Sequence, residues 1–219
     1  MKKNEPWIGT DESGKGDYFG PLVIAAVCLD FAGSSKLESL GVKDSKKLTD
    51  ARILLLAPKI REVALESDVV AIGPEKYNEL YAKMKNLNAL LAWGHARVIE
   101  NILSRRMVGR VLTDQFGDRS LVESALQSKG KTVLLEQRPR AEEDTAVAAA
   151  SCLARAEFVS RLEKLSRQEG VPLPKGASDL VIQAGKKLVR EKGEAALKRV
   201  AKLHFKTTQA VLGATMSKK

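Results

Sequence analysis

The chain has 219 residues, of which 44% are hydrophobic and 29% charged, a composition typical of a globular protein and not of a disordered one. The longest apolar run, Leu22 to Leu29, is far too short to cross a membrane, and the amino terminus has no apolar signal segment, so we expect a cytoplasmic protein. The net charge of +10 favours a polyanionic partner, of which nucleic acid is the commonest.

The length fits one domain covering residues 1–219, with a helical C-terminal region from about residue 168. Cys28 and Cys152 lie in apolar surroundings without the spacing of a metal site. We therefore predict two buried free thiols and no disulfide.

The stretch from residue 9 to residue 21 carries the strongest chemical pattern, because Asp11 and Glu12 are followed at once by Gly14-Lys15-Gly16. Neighbouring side chains of a regular strand point to opposite faces, so the two acids share a site only if the glycines let the backbone leave strand geometry. We interpret the acids as ligands of a hard metal ion and the glycine–lysine–glycine turn as a contact to phosphate or sugar. An acidic hairpin turn is the alternative at this stage.

The next segments predict a strand and a basic loop. Leu22 to Leu29 is apolar throughout and is predicted as a buried strand that pairs with residues 7–10. After a polar linker, residues 41–48 place Ser45 and Lys46 in a loop with three lysines, which suits a phosphate contact. A solvated charged turn is the alternative interpretation.

Alternating helices and strands follow, which implies an α/β fold with a mixed central sheet flanked by helices. A helix of residues 87–104 contains His95, which we predict to be a core or boundary histidine because no second His or Cys is near it. The other predicted elements are a helix from N-cap Thr49 to about residue 67, a strand at 68–73, a helix starting at Pro74, strands at 108–116 and 131–136, a helix from 146 to about 167, and helices at 179–192 and from about 194 to 203.

Further carboxylates stand where sites form in such folds. Asp114 is near the end of a predicted strand, and Glu142, Glu143 and Asp144 precede a helix, where three acids exceed what capping needs. If these acids converge with Asp11, cations must neutralise them, and Mg²⁺ or Mn²⁺ suits oxygen ligands. A basic surface with a carboxylate cluster is the combination expected of a two-metal nuclease.

Seven segments resemble the signature blocks of type 2 ribonucleases H, and of ribonuclease HIII in particular, in the expected order from about residue 7 to residue 208. The lysine at position 15 and the sequence Asp114-Gln115-Phe116 favour ribonuclease HIII over ribonuclease HII. The segments are residues 9–21, 43–48, 90–96, 113–116, 146–151, 173–177 and 202–206. The resemblance implies a ribonuclease H-like fold.

The same resemblance implies hydrolysis of the RNA strand of an RNA/DNA hybrid with two Mg²⁺ or Mn²⁺ ions, leaving 5′-phosphate and 3′-hydroxyl ends. Asp11, Glu12 and Asp114 match the family's metal-binding acids. The family's fourth acid stands ten positions before the serine matched by Ser151, where this chain has alanine; with one residue missing, Glu142 takes the role, and Glu143 is the alternative.

The substrate-binding candidates also come from this resemblance. The backbone around Gly14-Lys15-Gly16 should contact the ribose 2′-hydroxyl and the phosphate near the cut. Ser45, Lys46 and Lys175 lie in other matching blocks and are further candidates. The expected partner is an RNA/DNA hybrid, with no membrane partner, and we expect a monomer.

One departure from the family pattern leaves two other functions open. Ribonuclease HIII enzymes commonly carry an additional N-terminal substrate-binding domain, whereas this sequence starts almost at the acidic motif. The first alternative is therefore incision at single ribonucleotides in duplex DNA, as by ribonuclease HII. The second is a non-catalytic nucleic-acid-binding protein of the same fold.

Overall fold

The structure is a computed structural model that describes residues 5–114, 119–127 and 129–213. These residues form two compact units. The first contains the described residues up to Ser13, together with Val23–Val70 and Asn86–Glu157; the second contains Gly14–Leu22, Ala71–Lys85 and the described residues from Phe158 onward. Each unit is described by itself below.

A mixed five-stranded sheet forms the framework of the first unit. Its spatial order is β3-β2-β1-β4-β5. β1 pairs antiparallel with β2 along its whole length and parallel with β4, and β4 pairs parallel with β5. The strands are β1 (Trp7–Ser13), β2 (Leu22–Leu29), β3 (Glu66–Ile72), β4 (Arg110–Asp114) and β5 (Leu134–Arg138). The predicted α/β fold with a mixed sheet is confirmed.

Nine helices occur in the described part of the chain. They are α1 (Phe31–Ser39), α2 (Asp50–Val63), α3 (Pro74–Met84), α4 (Leu87–Arg105), α5 (Arg119–Ala125), α6 (Thr145–Glu169), α7 (Asp179–Lys192), α8 (Ala195–Val200) and α9 (Thr207–Leu212). The predicted helical C-terminal region is present. None of these helices is long and apolar enough to span a membrane.

Several predicted boundaries differ from the observed ones, each for a local reason. The predicted strand at 131–136 begins only at Leu134, because Gly130–Thr132 forms a 3₁₀ turn. The helix after Glu194 ends at Val200: the Ala201 amide still donates to the carbonyl of Leu197, but the Lys202 amide donates to the carbonyl of Tyr18, outside the helix. Helix α1 falls in the segment we took for a polar linker. Gln115 and Phe116 lie outside the described residues.

Helices approach both faces of the sheet in the first unit. A Cβ on Gly9 of β1 would overlap the backbone of Ala146 and Val147 in α6. A Cβ on Gly94 of α4 would lie 2.6 Å from the Ile24 side chain on β2. Because Gly9 and the pairing partner of Ile24, Glu12, are an odd number of residues apart on β1, α6 and α4 cover opposite faces.

This packing predicts a large effect of adding one methyl group at Gly9. We expect Gly9→Ala to lower the free energy of unfolding by about 2–3 kcal/mol, because the helix backbone is rigid and has to move away. Gly109→Ala is the matched control, since a Cβ there meets no atom within 4 Å. Urea denaturation of both variants measures the difference, and equal stabilities would contradict the close contact between α6 and β1.

Candidate active site

Asp11 and Glu12 lie on opposite faces of the sheet near the end of β1. We expected the backbone to leave strand geometry at these acids, but β1 stays paired with β2 through Ser13, so their side chains alternate. Asp11 is on the face covered by α6, where it accepts a hydrogen bond from Ser151 and, at 2.8 Å, from the backbone N–H of Glu12. Burial, reinforced by the charge of Glu12, raises the pKa of Asp11 to about 7.

Glu12 faces α4, where the buried His95 reaches it. The His95 Nε2 atom is 3.3 Å from Glu12 Oε2, and its Nδ1 atom is 2.8 Å from the hydroxyl of Thr10. A carboxylate only accepts, so Nε2 is the donor to Glu12 in this pair and Nδ1 accepts from Thr10 in a neutral ring. The histidine therefore fixes the orientation of one acid of the candidate site. We predicted only a core or boundary histidine.

Asp114 and Glu142 come from the neighbouring parallel strand and the turn after β5. The register pairs Thr10 with Thr113, so Asp11 and Asp114 are the next residues of two aligned strands. Asp114 Oδ1 accepts a hydrogen bond from the N–H of Ala141 at 3.3 Å, which ties the strand end to the 3₁₀ turn Ala141–Glu143. Within that turn Glu142 is half-buried and Glu143 is exposed.

The third acid of the predicted run, Asp144, is a helix cap. Its Oδ1 atom accepts hydrogen bonds from the N–H groups of Ala146 at 2.9 Å and Val147 at 3.3 Å, and from the Trp7 indole at 3.0 Å. The Asp144 carboxylate thus accepts from two otherwise free amides in the first turn of α6. Asp144 is therefore accounted for by capping, which leaves Glu142 and Glu143 as the candidates for chemistry.

Lys46 connects these acids electrostatically. Partial burial lowers the pKa of Lys46, but the carboxylates of Asp44, Asp11, Asp114 and Glu142 outweigh burial and raise it above its ordinary value. One ammonium group thus lies in the combined field of acids from β1, β4 and the turn after β5. Asp11, Asp114 and Glu142 therefore lie near one cationic group, whereas Glu12 is on the opposite face of the sheet.

Ser45, next to Lys46, is held against α6. Its hydroxyl lies 2.7 Å from the hydroxyl of Ser151, which also hydrogen-bonds Asp11. Asp44 caps the 3₁₀ turn Ser45–Lys47 by accepting from the Lys46 N–H at 3.1 Å. The predicted basic loop is therefore anchored to α6 through Ser45, while its lysines Lys43, Lys46 and Lys47 are exposed to solvent.

The candidate ligands are all carboxylate oxygens, the atom type that hard divalent cations prefer, but the side chains do not surround one common point. Within residues 5–114, 119–127 and 129–213, no three His, Cys, Asp or Glu side chains stand close enough together to hold a metal ion as they are. The strand alternation that separates Asp11 from Glu12 accounts for part of this spread. The donor set of Asp11, Glu12, Asp114 and Glu142 is entirely oxygen, which suits Mg²⁺ or Mn²⁺.

The remaining predicted site residues, Gly14-Lys15-Gly16 and Lys175, belong to the second unit. Gly14 has a φ of +86°, and a Cβ there would overlap the carbonyl oxygen of Pro21, so only glycine fits. At Gly16 a Cβ would meet nothing within 4 Å, which leaves that backbone open to a ligand. The two predicted segments adjoin, since the Tyr18 N–H donates to the carbonyl of Gly176 at 2.9 Å.

Both cysteines are buried free thiols, as predicted. Burial raises the pKa of each to about 12, and the Cys152 thiol donates to the carbonyl of Lys43 at 3.4 Å. Neither thiol is a nucleophile or a metal ligand in this environment.

Comparison with known proteins identifies the relatives of this chain. Residues 8–208 match the family model described as Ribonuclease HII. The sequence is 51% identical over 208 residues to ribonuclease HIII of Protochlamydia amoebophila (strain UWE25), covering 95% of this chain and 69% of that protein. It is 48% identical over 206 residues to ribonuclease HIII of Chlamydia pneumoniae, covering 92% of this chain and 68% of that protein.

Solved structures agree with the sequence relatives. The crystal structure of Bst-RNase HIII in complex with Mn²⁺ matches with a TM-score of 0.88 at 34% identity, covering 98% of this chain and 71% of that one. Aquifex aeolicus RNase H3 matches with a TM-score of 0.73 at 33% identity, covering 92% and 72% of the two chains. The α/β sheet is thus that of a ribonuclease H-like fold.

The chain belongs to the ribonuclease HII family. Among the members of this family, its sequence and fold are similar to those of ribonuclease HIII enzymes, as the motif order predicted. It is an enzyme, a ribonuclease that hydrolyses phosphodiester bonds.

The burial of Asp11 predicts a pH-dependent stability. Its folded-state pKa of about 7 lies above the ordinary 3.8, so the ionised group destabilises the protein increasingly as pH rises between these values. Asp11→Asn keeps the oxygen that accepts from the Glu12 N–H but never ionises. In a chelating buffer its Tm should exceed that of wild type by about 2–6 °C at pH 8 and by less at pH 5.

Thermal melts at both pH values measure this difference, with Asp179→Asn at an exposed position as the matched control. A Tm difference for Asp11→Asn that is the same at pH 5 and pH 8 would contradict the stated cause.

Proposed function

We propose that Asp11, Glu12, Asp114 and Glu142 hold the divalent cations with which this ribonuclease H cleaves its substrate. The activity is endonucleolytic hydrolysis of the RNA strand of RNA/DNA hybrids. The observation that carries the assignment is the parallel register of β1 and β4, which brings Asp11 and Asp114 to one edge of the sheet, with the bond from the Ala141 N–H to Asp114 holding the turn of Glu142 beside it. Acids that jointly raise the pKa of one cationic group can jointly bind a divalent cation in its place or beside it.

Asp11, Glu12, Asp114 and Glu142 would hold divalent cations, which would supply an activated water and charge stabilisation for hydrolysis. Bound Mg²⁺ or Mn²⁺, two ions as the family resemblance implies, would lower the pKa of water and neutralise the developing negative charge. The 5′-phosphate and 3′-hydroxyl ends follow from the same resemblance. Asp11 contributes a buried carboxylate. Burial and the charge of Glu12 raise its pKa, so a bound cation would stabilise its ionised form. His95 and Thr10 orient Glu12 from the opposite face of the sheet.

The proposed substrate contacts are of two kinds: charged or polar groups that contact phosphate, and backbone that approaches the ribose. Ser45 and Lys46 lie beside the acids and can meet a phosphate. In the second unit, Gly16 presents open backbone, and Lys15 and Lys175 carry positive charge. Close approach of glycine backbone to the ribose is the means by which the 2′-hydroxyl is sensed, and the 2′-hydroxyl is what distinguishes RNA from DNA. We further propose that residues 1–219 form a single-domain monomer that works in the cytoplasm.

Removing either strand acid should abolish catalysis without unfolding the protein. Asp11→Asn and Asp114→Asn each delete a metal-binding charge, and we expect cleavage of a labelled hybrid below about 1% of wild type, a barrier increase of at least ~2.7 kcal/mol. Circular dichroism verifies the fold of each variant. Near-normal rates in either variant would remove that residue from the site.

The fourth acid can be assigned by a matched pair of neighbours. Glu142→Gln should reduce cleavage by about a hundredfold or more, whereas Glu143→Gln should change it by less than about threefold, because only Glu142 is half-buried and within the field at Lys46. Initial rates at saturating Mn²⁺ give the comparison. The reverse order would move the role to Glu143.

The substrate class can be tested with two duplexes of equal length. A full RNA/DNA hybrid should be cut at many positions, and a DNA duplex containing one ribonucleotide should be cut at least about tenfold more slowly. Preferential incision at the single ribonucleotide would instead assign the ribonuclease HII-like activity. Binding without cleavage under either metal would leave only a nucleic-acid-binding function.

A further inference from the structure

Lys202 is fully buried in the second unit, and its side chain donates hydrogen bonds to a backbone turn. Its Nζ atom donates to the carbonyl of Asp17 at 2.7 Å and to the carbonyl of Gly20 at 2.8 Å. Its backbone N–H donates to the carbonyl of Tyr18 at 2.9 Å. One residue thus binds three of the four carbonyls of the turn at residues 17–20, which follows Gly14-Lys15-Gly16 in the chain.

Burying an amine is costly, so its presence needs a reason beyond filling space. Burial lowers the pKa of Lys202 to about 7, against the opposing effect of the Asp17 carboxylate. Either protonation state can donate to the two carbonyls. The Lys202 Nζ atom also lies 5.8 Å from the centre of the Tyr77 ring, so an aromatic face is near the amine. An apolar side chain of similar size would fill this space but leave both carbonyls without a donor.

The same turn is tied to two further segments of the second unit. The Gly20 N–H donates to the carbonyl of Val200 at 2.8 Å, and the Tyr18 N–H donates to the carbonyl of Gly176 at 2.9 Å. In return the Gly176 N–H donates to the carboxylate of Asp17 at 2.7 Å. The turn that Lys202 binds therefore also holds Gly176, the neighbour of Lys175, by two hydrogen bonds.

Asn78 of α3 fixes the backbone on both sides of Lys202. Its Nδ2 atom donates to the carbonyl of Ala201 at 2.9 Å, and its Oδ1 atom accepts from the N–H of Leu203 at 2.9 Å. These two bonds hold the lysine in the strand-like segment where α8 has ended. The amine is thus a fixed point and not a flexible side chain that happens to reach the turn.

We propose that Lys202 is a positioning residue that holds the turn at residues 17–20 and through it sets the backbone of Gly14-Lys15-Gly16 for substrate binding. The link between turn and segment is the bond from the Asp17 N–H to the carbonyl of Gly14 at 3.3 Å. The inference deepens the proposed function, on which it rests, by naming what orders its substrate loop. It touches no reacting atom.

The test is Lys202→Met, which keeps the length and apolar stem of the side chain and removes both donors. We expect KM for an RNA/DNA hybrid to rise about tenfold and kcat to stay within about twofold, because binding is disturbed and the acids are not. Hydrogen exchange of peptides covering residues 14–22 should accelerate by about tenfold, since the turn that aligns the Tyr18 and Gly20 amides with the carbonyls of Gly176 and Val200 loses two hydrogen bonds. A lysine with only a structural role would change this local exchange but would not raise KM at constant kcat.

Two further variants make the result decisive. Lys198→Met removes the same charge from an exposed position of α8 and should leave KM within about twofold, so an equal rise in both variants would show a charge effect and overturn the proposal. Asn78→Ala keeps Lys202 but frees its backbone, and it carries the test if Lys202→Met does not fold; we expect KM to rise about threefold and exchange at residues 14–22 to accelerate.

The outcomes separate this inference from the proposed function. Unchanged KM and unchanged exchange in the folded variants would overturn the positioning role, and so would a fall in kcat at constant KM. If the wild-type protein fails to cleave hybrids, the proposed function fails, and the exchange of residues 14–22 alone then decides whether Lys202 holds the turn.

Discussion

The parallel pairing of β1 with β4 is the constraint on which the site depends. Since Thr10 and Thr113 are register partners, Asp11 and Asp114 reach the same edge of the sheet, and the bond from Ala141 to Asp114 draws the turn that carries Glu142 towards it. Carboxylates placed together in partly buried surroundings either take up protons or attract cations. The raised pKa of Asp11 corresponds to the uptake of a proton, and Asp11, Asp114 and Glu142 in turn raise the pKa of the nearby Lys46. We propose that divalent cations neutralise these carboxylates in the working enzyme.

The two faces of β1 give the adjacent acids separate supports. Asp11 is held by Ser151 on the side of α6, and Glu12 by His95 on the side of α4. Both helices come close enough because glycine occupies the contact points, Gly9 on the strand and Gly94 on the helix. The small residues that determine helix-to-sheet distance therefore also determine whether the two supporting side chains reach the acids. Fold and site cannot be separated here.

Much of this arrangement could be predicted from the sequence, and the rest depended on tertiary contacts. The apolar run of β2, the cap Thr49 and Pro74 at a helix start fixed their elements locally, and each stands where its chemistry predicts. The acids were recognisable from their types and motif order. The role of His95 was missed, because nothing near it in the sequence pairs with a histidine; its partners Thr10 and Glu12 are more than eighty residues away. The continuation of β1 through Glu12 was missed because two charged residues followed by glycine read as a turn, while antiparallel pairing with β2 kept the strand regular.

Discrimination between RNA and DNA cannot come from the net charge of +10, because both strands present the same phosphates. It requires a group that meets the 2′-hydroxyl at hydrogen-bond distance, and we propose that the glycine-containing backbone of Gly14-Lys15-Gly16 approaches a ribose that closely. Glycines, however, are the most mobile residues of a chain, so such a segment discriminates only if its flanks are fixed. The turn at residues 17–20 supplies one fixed flank, through the carbonyls that Lys202 binds and the amides bound by Gly176 and Val200. We propose that the buried amine of Lys202, although unfavourable to bury, fixes the segment Gly14-Lys15-Gly16 so that it can distinguish RNA from DNA.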